Sequence, residues 1–208
     1  MANWSLKVGH WRGVPIRVHA STPVGLYVFS GFRFDPVWWA CALGLVLLHE
    51  LGHALVVRMV GGRATEVMLT GFGGHCAWTG EVSPLGRAGI ACGGVAAQLI
   101  LLMVALVGSG LGLVPAGGVA NTVLWAATMS NAWLIGVNLL PISPLDGAEA
   151  WAFPYRLGQV ARRKLTTHRN VVRLDGEPME TGGAGAKEQA KNLAAQLLQN
   201  ARKGEDEP

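Results

Sequence analysis

Residues 43 to 59 read "LGLVLLHELGHALVVRM", and they set two histidines and a glutamate inside an otherwise apolar run. In a helix, positions i and i+4 lie one turn apart on the same face, so His49 and His53 can present their imidazoles to one metal ion with Glu50 beside them. This H-E-x-x-H arrangement is that of zinc hydrolases, in which the glutamate acts as general base. An ionisable side chain at membrane depth costs about 2.5 to 3.5 kcal/mol on insertion scales, so its presence there argues for a function. A catalytic zinc takes three protein ligands and keeps a position for water, so a further ligand is required. The best candidate lies in "NLLPISPLDGAEA", where Asp146 is the only acidic residue between Glu81 and Glu149. Pro141 and Pro144 break the preceding helix, and Gly147 lets the backbone turn the carboxylate inward.

The elements that must position these groups are apolar. Half of the 208 residues are hydrophobic and 14% are charged, too oily for an ordinary soluble domain. A polytopic, all-α membrane protein is expected, and 29 glycines suit closely packed membrane helices. Four apolar stretches, 20–32, 37–60, 88–107 and 119–140, predict about four transmembrane helices, although the first is shorter than the roughly 20 residues a span needs. The segment "GGRATEVMLTGFGGHCAWTGEVSPLGR" predicts a small β-hairpin or re-entrant loop, whose backbone must be covered by protein at membrane depth. The N-terminus has no apolar core or cleavage signal, so membrane insertion is expected from the internal segments. Three separated cysteines, Cys41, Cys76 and Cys92, suggest reduced thiols.

Positive charge sets an orientation. With both termini cytoplasmic, all of the 17 lysines and arginines except Arg33 fall on the cytoplasmic side. The net charge of +4 then reflects orientation and attraction to the lipid bilayer, not nucleic-acid binding. The second and fourth spans both descend towards the cytoplasm in this arrangement, which brings the HELGH turn and Asp146 to compatible depth.

HELGH in an early span, together with N-x-x-P-x-x-P-L-D-G in a later one, resembles the site-2 protease family of intramembrane zinc metalloproteases. "GVPIRVH" at 13–19 and "GFGG" at 71–74 extend the likeness, which covers roughly residues 5 to 158. The resemblance implies a Zn2+ cofactor held by His49, His53 and Asp146, with Glu50 as base. It also implies a loop with Gly73 and Gly74 that forms an edge strand aligning the substrate. The implied activity is cleavage of a transmembrane or membrane-adjacent segment of another protein, such as an anti-sigma factor or another tethered regulator, in a bacterial or archaeal cell membrane. The alternative is a catalytically inactive protein of the same fold that binds membrane helices, although a pure binder has no need of a buried base.

Other residues leave alternatives open. Asn138 is either a donor to the developing oxyanion or half of an interhelical hydrogen bond, with Asn131 as partner on the same face. Gly89, Gly93 and Ala97 form a small-residue stripe for close helix packing. Where the family often has Gly-Pro-x-x-Asn, this chain reads "GGVAAQ" with the amide one position later, at Gln98. His75 either approaches the metal or substrate or is simply solvated, and Cys76 is not needed to complete the ligand set. Residues 1–158 are expected to form the protease core and 159–208 a cytoplasmic tail, with an amphipathic helix over 186–203.

Overall fold

The computed structural model describes residues 4–115 and 117–162. Met1–Val160 forms one compact unit. The helix expected over 186–203 lies outside the described residues.

The chain begins with strands β1 (Ser5–Trp11) and β2 (Val14–His19), an antiparallel hairpin. Arg12 and Gly13 join them with φ of 48° and 86°, the left-handed pair that matches the twist of a two-residue hairpin. After helix α1 (Thr22–Phe29) and helix α2 (Pro36–Met59) come strands β3 (Arg63–Thr70) and β4 (Gly73–Thr79). β3 lies parallel to β2 and antiparallel to β4, giving one four-stranded sheet in the order β1-β2-β3-β4. A parallel pair requires a long crossover, and here α1 and α2 supply it.

α2 starts on Asp35, whose side chain accepts from the Trp38 N–H at 3.0 Å, with proline in the first turn. Helix α3 (Pro84–Gly110) starts in the same way, with Ser83 Oγ accepting from the Gly86 N–H at 3.1 Å. At 24 and 27 residues, both helices are long and apolar enough to cross a membrane; they measure about 36 and 40 Å against a hydrocarbon core of roughly 30 Å. Leu99, Ile100, Met103, Val104, Leu106 and Val107 of α3 are exposed, as a lipid-facing surface requires. The two helices meet at glycine. A Cβ on Gly52 would stand 2.4 Å from the Gly93 carbonyl oxygen and 2.9 Å from the Ala97 methyl, and one on Gly93 would stand 2.8 Å from the Gly52 carbonyl oxygen. The predicted small-residue stripe is therefore the contact between α2 and α3.

The apolar core, built from Val14, Ala54, Val57, Ala64, Val67, Leu69, Val82 and Ile90, lies between the sheet and these two helices. The chain then forms helix α4 (Gly118–Trp125), a π-helical turn (Ala126–Ser130), helix α5 (Asn131–Asn138) and a short helix α6 (Gly147–Ala150).

Two expectations need correction. The chain is not all-α: in addition to the predicted hairpin at β3 and β4, residues 5–19 contribute two strands that complete a sheet. Their alternating Val14, Ile16 and Val18 had the period of a strand, but the pairing partner, β3, lies 51 residues further along, Ile16 facing Val67. The expectation of about four spans is met only in part among the described residues. Among the described residues only α2 and α3 are single helices of spanning length. Stretch 20–32 forms only the eight-residue α1, about 12 Å long. It stops at Gly31 and Phe32, both left-handed at φ of 70° and 61°. Stretch 119–140 is helical over 118–138 but is interrupted by the π turn.

Candidate functional site

His49, Glu50 and His53 fall in the buried half of α2, with exposures of 6, 4 and 7%. The helical repeat puts both imidazoles on one face, as their spacing predicts. Their orientation comes from α3. His49 Nδ1 donates to Gln98 Oε1 at 3.0 Å, and His53 Nδ1 donates to the Ile90 carbonyl at 2.6 Å. Each ring thus spends its proton on Nδ1 and leaves Nε2 as a lone-pair donor, the tautomer a metal ligand needs. Gly94 makes room for this, since a Cβ there would stand 2.5 to 2.6 Å from three atoms of the His49 ring.

Asp146 arrives from the far end of the chain. The loop after α5 is sharply folded because Gly147 packs on the Leu139 and Leu140 carbonyls; any Cβ there would approach those oxygens to 2.4 and 2.3 Å. The Trp151 indole N–H caps the Leu139 carbonyl at 2.8 Å. Asp146 sits at the N-cap position of α6, yet its side chain makes no capping bond. It turns to the histidines instead, with Oδ2 lying 2.8 Å from His49 Nε2 and 3.1 Å from His53 Nε2.

The two Nε2 atoms lie 3.0 Å apart. Three donor atoms, two neutral nitrogens and one carboxylate oxygen, therefore form a triangle with edges of 2.8 to 3.1 Å. Ligands at 2.0 to 2.2 Å around a tetrahedral zinc stand roughly 3.3 Å apart, so the set fits a metal ion with a few tenths of an ångström of widening. Among the described residues this is the one group of histidines, cysteines and carboxylates close enough to hold a metal.

The triangle opens into a cavity of about 720 Å3 that Glu50, Gly73, Gly74, Asn138 and Asp146 also line. Gly73 and Gly74 begin β4, the edge strand of the sheet. Gly74 lies against the candidate base: a Cβ there would stand 2.8 Å from Glu50 Oε1. Asn138, the last residue of α5, is half-buried and faces the cavity, and no side-chain hydrogen bond engages it. Of its two readings, the hydrogen bond with Asn131 is not found among the described residues. Asn131 is fully buried and its Nδ2 donates to the Gln98 carbonyl at 2.8 Å.

His75 is exposed and lines the cavity without joining the triangle. Cys76 also lines it, but burial, with the neighbouring Glu50, pushes its thiol up to about 12, so it remains neutral. His19 Nδ1 accepts from the Ser21 N–H at 3.1 Å, a bond local to the end of β2. The sequence reading gave no role to the groups that hold the ligands: Gly94, the Ile90 carbonyl and Gln98, of which only Gln98 was singled out. Gln98 had a signal, since an amide in the middle of an apolar span costs free energy unless it has a partner.

No family model matches the chain. Zinc metalloprotease MJ0392 of Methanocaldococcus jannaschii is 28% identical over 151 residues, 70% of this chain and 44% of that protein. Rip3 of Mycobacterium tuberculosis, a proposed zinc metalloprotease, is 33% identical over 165 residues, 69% of this chain and 42% of that protein. The chain thus spans less than half the length of these curated relatives. Among solved structures, a site-2 protease from M. jannaschii superposes with a TM-score of 0.58 at 25% identity, covering 71% of this chain and 70% of that one.

Proposed function

Because this chain belongs to the site-2 protease family, we propose that it is a zinc endopeptidase that cuts a membrane-embedded or membrane-adjacent segment of another protein. The observation that carries this reading is the convergence of His49 Nε2, His53 Nε2 and Asp146 Oδ2 at the mouth of a cavity that also holds Glu50. A zinc ion bound by those three residues supplies Lewis-acid activation of water and of the scissile carbonyl.

The protein's own residues do the rest. Glu50 takes the proton of the attacking water and passes it to the departing amide nitrogen. Asn138 Nδ2 donates to the carbonyl oxygen as negative charge develops on it. Among the described residues β4 is hydrogen-bonded on one side only, to β3, so an unwound substrate segment can pair with its open edge and lie across the cavity. Gly73 and Gly74 keep that approach unobstructed. A helical substrate must first unwind, because its carbonyls are otherwise hydrogen-bonded and shielded, so helix-weakening residues are expected near the cut.

The substrate class is a tethered regulator such as an anti-sigma factor. Both termini are cytoplasmic, and residues 159–208 form a cytoplasmic tail. Reporter fusions at either end test this orientation, and activity of an extracytoplasmic reporter at either terminus overturns it.

The decisive experiment compares membrane peptides by mass spectrometry in cells carrying wild type or Glu50→Gln, with zinc content measured on both purified proteins. A membrane fragment that accumulates with Glu50→Gln and is consumed with wild type is the expected result. Two zinc-loaded proteins with identical peptide profiles, also against a pre-truncated substrate, would favour the non-catalytic helix-binding alternative.

A further inference from the structure

Gln98 lies in the middle of α3, four residues after Gly94, and has no exposed surface. Its side-chain oxygen meets His49 Nδ1 at 3.0 Å, while its backbone carbonyl accepts from Asn131 Nδ2 at 2.8 Å. Residue 98 therefore joins two parts of the site. On one side is the ring of the first metal ligand. On the other is the first residue of α5, the helix that leads through Asn138 to Asp146. Asn131 directly follows the π turn Ala126–Ser130, and its Nδ2 also reaches the Ala127 carbonyl at 3.3 Å.

We propose that Gln98 is a positioning residue of the metal site: its amide oxygen fixes the Nδ1–H tautomer of His49, and its backbone carbonyl fastens the segment that delivers Asp146. The inference rests on the zinc reading of the site. The two halves of the amide are not equivalent. Oε1 is engaged by His49, whereas Nε2 is buried without a hydrogen-bond partner. Burying an amide N–H without a partner is costly, and an apolar side chain would avoid that cost. A glutamine is explained if the acceptor oxygen is what the site requires. Rotating the amide would present a donor to Nδ1 and move the imidazole proton to Nε2, the atom facing Asp146, where it would block metal binding. Gly94 acts with Gln98, because the space it leaves lets the His49 ring lie where the amide can reach it.

The test uses the full chain in detergent or nanodiscs and the zinc ion alone as probe. Dissociation constants are measured by competition with a chromogenic chelator, beside thermal unfolding of the metal-free proteins. Gln98→Met keeps the length of the side chain but removes the acceptor, and it is expected to weaken zinc binding by about 10 to 100-fold, as loss of an outer partner of a ligating histidine does. Gln98→Glu retains an acceptor and discards the orphaned N–H2, and is expected to stay within about threefold of wild type on that principle. A buried carboxyl lowers the unfolding temperature of metal-free Gln98→Glu, but the variant tests the role as long as it folds, even where Gln98→Met folds poorly. Wild-type affinity in Gln98→Met would overturn the proposal, and so would a Gln98→Glu protein that folds but loses zinc as severely as Gln98→Met. Failure of the wild type itself to bind zinc would instead overturn the zinc reading of the site.

Discussion

The two walls of the cavity are built on opposite terms. On the wall formed by α2 and α3, both ligand imidazoles have partners, and the helices close on one another through Gly52, Gly93 and Gly94. On the wall formed by the start of β4 and the end of α5, the groups wait: β4 has an open edge, and Asn138 lines the cavity with no side-chain partner. The first wall has the order that a metal site needs before metal arrives, since ligand orientation must not be purchased from binding energy. The second has the unspent hydrogen-bonding capacity that an extended substrate would use. Glu50 stands at the seam, carried by α2 and flanked by Gly74 of β4.

Substitutions on the two walls should therefore separate metal loss from catalytic loss. The largest effect is expected from Asp146→Ala, which removes one corner of the donor triangle: zinc content should fall to background and turnover with it. Retention of one zinc per chain by that variant would show that another group completes the set. Asn138→Ala, at the end of α5, comes next, with zinc content unchanged and kcat lowered roughly 10²- to 10³-fold, the usual cost of an oxyanion donor. An effect confined to KM would assign Asn138 to substrate binding instead.

Gly74→Ala should lower kcat by about 10²-fold, a typical result of shifting a catalytic group by around 1 Å, because the new methyl displaces Glu50. Zinc should stay bound, whereas Gly94→Ala should shed it by pushing the His49 ring off Gln98. If the two alanine variants lose zinc equally, the division into two walls fails. The smallest effect is expected far from either wall. Arg17 lies 3.8 Å from Glu66 across β2 and β3, and both side chains are about a third exposed, so Arg17→Gln should cost less than about 1 kcal/mol in stability. It should leave kcat alone, which thermal unfolding and steady-state assays would check.

How far the site could be read in the sequence followed the range of each interaction. The His49, Glu50 and His53 face needed only the helical repeat. Asp146 needed in addition an inventory of acidic residues and an orientation from charge; its Oδ2 lies 2.8 Å from His49 Nε2 and 3.1 Å from His53 Nε2. The β3–β4 hairpin was legible from its β-branched residues and the "GFGG" turn, both local signals. The place of the β1–β2 pair in the sheet was not, because it is set by parallel pairing of Ile16 with Val67, across two intervening helices. The heptad spacing offered Asn131 as a partner for Asn138 in one of its two readings. The π turn just before it lies in the stretch read as one regular helix, and Asn131 instead bonds the α3 backbone.

By itself, then, the sequence determined the chemistry: which residue types were available, and that two imidazoles and a carboxylate would share one helical face in an apolar segment. That follows from a repeat of 3.6 residues and holds wherever the helix is placed. The tertiary structure alone decided which nitrogen of each imidazole is free, because that depends on Gln98 and Ile90 of a different helix. It also decided that Gly94 rather than a larger residue faces His49, and that a sheet edge rather than a bare loop borders the cavity. These are contacts between segments distant in the chain, and only packing at van der Waals distance, where one Cβ is too many, selects them.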